Sequence, residues 1–126
     1  MKDTVCVDFD GVIAQNNGWQ GVDHFEDPIP GAKEFLDNLS KKFNIIIFTC
    51  RCTEGIAGIE KAHLLANRVR AYLDEHEMTY DDIYIGQGKP IAQAYIDDRG
   101  INCNPAQDSM AYEKVLLMLD SNEKIL

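Results

Sequence analysis

Two aspartates, Asp8 and Asp10, stand one residue apart directly after the apolar run Val5-Cys6-Val7, and Gly11 follows them. In a strand, alternate side chains share one face, so the two carboxylates would lie side by side. Like charges at that distance raise the free energy unless something compensates, and a divalent cation would do so. The arrangement is typical of a site where an aspartate serves as a phosphoryl-transfer nucleophile.

Further polar residues follow later apolar runs. Thr49 ends the second run, Lys89 stands in the turn Gly-Gln-Gly-Lys-Pro, and Asp97 and Asp98 end a later run. The carboxyl ends of parallel strands meet at one edge of an open α/β sheet, where such proteins bind ligands. We therefore expect four carboxylates, one hydroxyl and one ammonium to cluster there. Such an oxygen-rich cluster suits Mg²⁺, which keeps several waters and shares its other positions with a substrate phosphate.

The elements that must position these residues follow from hydrophobic periodicity. Strand-sized apolar runs occupy 4–7, 45–49, 83–85 and 94–96, with a short fifth candidate at 101–103. Apolar residues at helical spacing predict helices at 32–43, 59–73 and 109–121. This alternation predicts a doubly wound α/β parallel sheet of about five strands. The polar segment 15–28 is expected to be a loop beside the active crevice, either a binding loop or a surface excursion.

Length and composition indicate one globular, cytoplasmic domain. No repeat or linker divides residues 1–126, of which 45% are hydrophobic and 26% charged. The polar start and the absence of a long apolar stretch predict neither a signal peptide nor a membrane span. Four cysteines without a secretion signal are expected to be reduced thiols. A formal net charge of −9 argues against a nucleic-acid partner, because nucleic-acid affinity depends on clustered Lys and Arg.

The motifs carry a family resemblance. In chain order, Asp8-Phe9-Asp10-Gly11-Val12, then Thr49, then Lys89, then Asp97-Asp98 resemble the four motifs of the haloacid dehalogenase superfamily. Four motifs in order over nearly the whole chain are far more specific than a lone Asp-x-Asp pair. The resemblance implies a three-layer, Rossmann-like domain with helices on both faces of the sheet, and phosphate-ester hydrolysis with Mg²⁺ as cofactor.

The resemblance also implies roles for individual residues. Asp8 would be the nucleophile that forms an aspartyl phosphate, and Asp10 would be the general acid and base. Thr49 would hydrogen-bond a phosphoryl oxygen, and Lys89 would neutralise charge on the transferring group. Gly11 would lie against the substrate.

The metal ligands are implied in the same way. The Asp8 side chain, the Asp10 backbone carbonyl and one carboxylate of the last motif would hold the cation. In the paired version of that motif, we expect Asp98 to be the direct ligand. Asp97 would act through water or orient Lys89.

Two departures from the family pattern bear on the site. Val12 stands where many members carry Thr, a variant that the family tolerates. About twenty residues separate Gly11 from the first predicted helix, and 51–56 is a short connection, so neither usual insertion site holds a cap domain. The crevice should be open unless the 15–28 loop or a second subunit of a homo-oligomer covers it.

Two arginines adjoin the motifs. Thr49-Cys50-Arg51 and Asp97-Asp98-Arg99 are similar to strings in the phosphatase domain of polynucleotide kinases. A guanidinium suits bidentate phosphate recognition, so Arg51 and Arg99 are candidate substrate ligands. The alternative is that each arginine pairs with nearby carboxylates of this acidic protein.

The leading hypothesis is a Mg²⁺-dependent phosphomonoesterase acting on a small phosphorylated metabolite or nucleotide, with a polynucleotide end as the alternative substrate. A hypothesis of another class is a non-hydrolytic phosphoacceptor that resembles a response-regulator receiver. Receivers carry their acidic pair after the first strand and their acceptor aspartate on a middle strand, the reverse of the order here. A catalytically silent binding domain is the third alternative.

Overall fold

Strands and helices alternate along the chain. The computed structural model describes residues 2–18, 20–21, 24–52, 59–86 and 90–122. The strands are β1 (Asp3–Asp8), β2 (Phe43–Phe48), β3 (Asp82–Ile83) and β4 (Ala94–Ile96). The helices are α1 (Ala32–Ser40), α2 (Ile59–Glu75) and α3 (Ala111–Asn122), and Cys50–Cys52 form one short 3₁₀ turn.

The four strands form one parallel sheet in the order β3-β2-β1-β4. This is the beginning of the strand order found in Rossmann-type folds, 3-2-1-4. The chain moves outward in one direction from β1 through β2 to β3, and then returns to the other side of β1. The point of reversal lies between β1 and β4, and it is there that open α/β sheets form their ligand crevice.

One face of the sheet carries the hydrophobic core. Val5 lies opposite Ile45, and Val7 lies opposite Ile47. These side chains are at most 3% exposed and form one cluster with apolar residues of both α1 and α2. Right-handed crossovers that continue in one direction place their helices on the same face, which explains why α1 and α2 share this core.

The other face is less covered. Strand alternation puts Cys6 and Asp8 on it, opposite Tyr95 of β4 and Phe48 of β2 respectively. The α3 helix buries Ala111, but its larger apolar side chains stay exposed: Tyr112, Leu116, Leu117, Met118 and Leu119. The prediction of helices on both faces of the sheet is therefore not confirmed by the described residues.

The predicted α/β class, the parallel sheet and the three helices are confirmed. The fifth strand is not confirmed, because residues 101–103 have no strand pairing. The first helix ends at Ser40 rather than at 43, since the next two residues turn back toward it and lead into β2. Within the described ranges, which include all four cysteines, no disulfide forms. Among the described helices, none has the length and apolar character needed to cross a bilayer.

Candidate active site

A cavity of about 350 Å³ opens at the carboxyl ends of β1 and β4. Asp8 and Asp10 line it from the end of β1, and Asp98 and Arg99 line it from the segment after β4. Asn16 and Cys50 complete the lining among the described residues. The cavity therefore joins the first and last predicted motifs at the reversal point of the sheet.

Gly11 shapes the turn that follows β1. Its φ of +86° lies in the left-handed region that favours glycine. The carbonyl of Phe9 accepts the N–H groups of Ile13 and Ala14, and Gly11 N–H donates to the Ala14 carbonyl at 2.8 Å. A Cβ on Gly11 would overlap the Asp98 carboxylate. Only a glycine lets Asp98 approach the β1 turn this closely.

Asp8 is partly buried at the end of β1, and its Oδ1 accepts the N–H of Phe9 at 2.8 Å. Burial raises the pKa of Asp8 from 3.8 to about 7, and the carboxylates of Asp98, Asp10 and Asp97 add to the rise. The Phe9 hydrogen bond acts in the opposite direction. An ionised Asp8 is thus costly in the protein alone, and a bound cation would relieve that cost.

Asp10 is held by Arg51. The guanidinium donates from Nε to Oδ2 at 2.8 Å and from a terminal nitrogen to Oδ1 at 3.0 Å, a bidentate ion pair. Arg51 is only 4% exposed and lies over the ring of Phe25 at 4.6 Å. It lines neither cavity at this edge of the sheet. Of the two roles considered for Arg51, the geometry shows the pairing with a carboxylate.

Thr49 is buried beside this pair, directly after β2. It is 1% exposed, and its Oγ1 accepts the backbone N–H of Arg51 at 3.3 Å. The next residue, Cys50, lines the cavity instead. Lys89, the remaining member of the predicted set, lies outside the described residues.

The two aspartates after β4 differ in their contacts. Asp97 accepts the backbone N–H groups of Arg99, at 2.9 Å, and of Gly100, so it stabilises its own turn. Asp98 lines the cavity and faces the Gly11 turn. Arg99 is exposed at the cavity, and within the described part of the chain its guanidinium has no hydrogen bond or ion pair. The predicted alternative for this arginine, an ion pair, is not seen there.

The described oxygen donors fit a hard cation. Asp8 and Asp98 offer carboxylates to one cavity, and the Asp10 backbone carbonyl accepts no hydrogen bond from the described residues. Two carboxylates and one carbonyl leave room for waters, which is the coordination that Mg²⁺ favours. Within the described ranges, no three His, Cys, Asp or Glu side chains form a group able to hold an ion. This set does not need a third side chain, because its third donor is a backbone oxygen.

Asn16, Cys50 and Phe25 were not among the predicted site residues. Asn16 and Phe25 belong to the 15–28 loop, whose expected position beside the crevice is confirmed, since Asn16 lines the cavity. Phe25 packs edge-on against Phe9 and lies next to Tyr72 of α2, so it anchors the loop. For Phe25, the one signal in the sequence was an aromatic residue within a polar segment.

Together, the parallel sheet and the crevice define an α/β protein with a Rossmann-like strand order. No family model matches the sequence, and no curated protein matches it. The chain is similar to a structural target from Vibrio cholerae, with 27% identity over 90% of this chain and 98% of that one, and a TM-score of 0.54. No function is named for that protein, so the likeness supports the fold alone.

Proposed function

We propose that the protein is a Mg²⁺-dependent phosphomonoesterase of the haloacid dehalogenase type, which hydrolyses a small phosphate ester through an aspartyl phosphate on Asp8. One observation carries the proposal. Asp8 and Asp98 enter one cavity at the reversal point of a parallel sheet, and a left-handed glycine turn allows their approach. The finer fold, a capless three-layer domain with a fifth strand, belongs to the same proposal.

The cation would be held by Asp8, the Asp10 carbonyl and Asp98. When bound, Mg²⁺ would neutralise charge on the transferring phosphoryl group and stabilise the ionised form of Asp8. Asp98 suits this role better than Asp97, because Asp97 already accepts two backbone N–H groups of its own turn. The oxygen-only donor set favours Mg²⁺ over softer transition metals.

The first chemical step forms a bond between an Asp8 carboxylate oxygen and phosphorus, while the bond from phosphorus to the leaving oxygen breaks. Asp10 would protonate that leaving oxygen and later accept a proton from the water that hydrolyses the acyl phosphate. Arg51 engages both carboxylate oxygens of Asp10, so proton transfer requires one of these hydrogen bonds to open. Arg99 would bind a phosphoryl oxygen, and Lys89 would assist it.

The receiver alternative is disfavoured by strand order as well as by motif order. Receiver-type sheets follow the order 2-1-3-4-5, which places β1 beside β3. Here β2 separates β1 from β3. A polynucleotide end is a weaker substrate candidate than a small ester, because the net charge is −9 and Arg99 is the one cation among the described residues that line the cavity.

The test is hydrolysis of a panel of phosphate monoesters with Mg²⁺ by the wild type, Asp8→Asn and a matched control, Asp3→Asn. Asp3 begins the same strand and is exposed, so its replacement should leave activity unchanged. Asp8→Asn should abolish turnover, and acid-quenched wild type should carry one phosphoryl group on the peptide containing Asp8. Undiminished turnover by Asp8→Asn would refute the nucleophile assignment. A stable phosphoaspartate without turnover would instead support a phosphoacceptor.

A further inference from the structure

A second cavity, of about 410 Å³, adjoins the carboxylate cavity. The two share Asp8, Cys50, Asp98 and Arg99 as lining residues. Beyond that shared boundary, the second cavity extends over an apolar surface formed by Cys6, Phe48 and Tyr95. We name this surface the aromatic slot. The volume of the second cavity falls in the range of small-ligand sites.

Strand register explains why the slot lies next to Asp8. Phe48 is the direct neighbour of Asp8 across β1 and β2, and Tyr95 is the neighbour of Cys6 across β1 and β4. The side chains of these two pairs, Phe48 with Asp8 and Tyr95 with Cys6, therefore point to the face opposite the core. Because β1 is central, Phe48 and Tyr95 stand on strands two spacings apart, about 10 Å. Cys6, a small buried side chain, forms the floor between them.

The walls of the slot are held in place before any ligand binds. The Tyr95 hydroxyl donates to the Pro90 carbonyl at 2.5 Å. The Phe48 ring packs against Tyr84, with ring centroids 5.8 Å apart. A ligand that enters such a preformed apolar site does not have to order these rings, so less conformational entropy is lost on binding.

The charge of the lining restricts the ligand further. Among the described residues that line either cavity, Arg99 is the one cationic side chain, and it lies at the shared boundary where a phosphate would sit. The described lining of the slot beyond it offers no positive charge to a second anionic group. A flat ring can stack on Phe48 or Tyr95, whereas a polyhydroxylated chain would lose its hydration there.

We infer that the aromatic slot receives the leaving group of the substrate, and that this leaving group carries a planar, uncharged ring. The inference rests on the proposed phosphomonoesterase function and narrows its substrate class. The substrate is a phosphate monoester bearing an aromatic ring, either a nucleoside monophosphate or a simple arylalkyl phosphate, with its phosphate between Asp8 and Arg99. Open-chain phosphates would use the carboxylate cavity alone.

The first test measures binding without turnover. Benzylphosphonate and ethylphosphonate, which cannot be hydrolysed as esters, are titrated into the wild type with Mg²⁺ by calorimetry. The benzyl compound should bind about tenfold more tightly, as expected from ring stacking and apolar burial. Tyr95→Ala should remove most of that preference and leave ethylphosphonate binding unchanged. Tyr112→Ala, which removes an exposed tyrosine of α3, is the matched control and should change neither.

The second test compares kcat/KM for benzyl phosphate and ethyl phosphate, whose leaving alcohols have similar acidity. Equal binding of the two phosphonates, or a preference that survives Tyr95→Ala, would overturn the slot assignment. If the phosphonate preference is present but no ester is hydrolysed, the phosphatase proposal fails, and the slot is a ring-binding site rather than a site for a leaving group. Turnover without ring preference would support the phosphatase proposal and overturn the slot assignment. Comparison of adenosine monophosphate with benzyl phosphate then distinguishes the two sources of the ring.

Discussion

Replacing the candidate nucleophile by its neutral isostere should stabilise the metal-free protein. Asp8 has a pKa of about 7 in the folded protein, raised chiefly by burial, against an ordinary value of 3.8. At pH 8 the carboxylate is ionised in both folded and unfolded states, and the folded state bears the cost of that buried charge. Asp8→Asn removes the charge and retains an oxygen able to accept the Phe9 N–H.

The magnitude follows from the pKa difference. About three pKa units correspond to about 4 kcal/mol between protonated and ionised forms. Because Asp8 is only partly buried, solvent screening reduces this, and we expect about 2 kcal/mol. Because the pKa of Asp8 is higher in the folded than in the unfolded protein, protonation of Asp8 stabilises the folded state. This contribution is fully present below about pH 4 and is lost as pH rises through about 7.

The assay is urea denaturation in EDTA at pH 5 and pH 8. At pH 8 Asp8→Asn should exceed the wild type in free energy of unfolding by about 2 kcal/mol, and at pH 5 that difference should be smaller. Titrating groups that do not interact with Asp8 cancel in the comparison. Asp3→Asn, at the opposite end of β1, should show no such pH dependence. Saturating Mg²⁺ at pH 8 should stabilise the wild type more than the variant.

A difference between Asp8→Asn and wild type that is the same at both pH values would refute the reasoning, because it would come from packing rather than from ionisation. A variant less stable than wild type at pH 8 would do so as well. Either result would mean that Asp8 is solvated well enough to ionise at its ordinary pKa.

Three further pairs of substitutions test the geometry of the site. Gly11→Ala should lower the free energy of unfolding, measured by urea denaturation, by about 1–3 kcal/mol. It should also weaken Mg²⁺ binding measured by calorimetry. Gly31→Ala, at a glycine that is also left-handed but faces open space, should lower stability alone. Arg51→Ala should lower the free energy of unfolding by about 3 kcal/mol, since it leaves the partly buried carboxylate of Asp10 unpaired. Arg51→Lys should lower it less, and equal losses for the two variants would contradict the bidentate role of Arg51. Asp98→Asn should weaken Mg²⁺ binding more than tenfold and Asp97→Asn less, and the reverse ranking would exchange their assignments.

Much of the fold was accessible from the sequence because its signals are local. Runs of branched apolar residues predicted β1, β2 and β4 within a residue or two, since a strand buried on a parallel sheet needs apolar side chains on both faces. The fifth predicted strand, where the local pattern is weak, is not confirmed. Residues 101–103 resemble a strand in composition, but strand formation needs a neighbouring edge to pair with, which three residues do not specify.

The same contrast between local signals and long-range contacts applies to the candidate site. The spacing of Asp8, Asp10 and Asp98 relative to the apolar runs was enough to predict that their side chains follow strands. The pairing of Arg51 with Asp10 was considered only as a general alternative, because the two residues are 41 positions apart in the chain. Such a contact leaves no periodic signal, and its geometry depends on how the turns after β1 and β2 meet.

Element types, motif order and the identity of the carboxylates could be predicted from the chain alone, because they depend on side-chain chemistry and on periodicity along the chain. Tertiary packing sets which strand lies beside β1, and thereby which carboxylates meet. It also decided that Phe48 and Tyr95 flank an open slot next to Asp8, since strand register and the helix-covered face are properties of the whole sheet. The sequence predicted two neighbouring carboxylates that require a cation, and the structure adds that they line a cavity with an apolar site beside it.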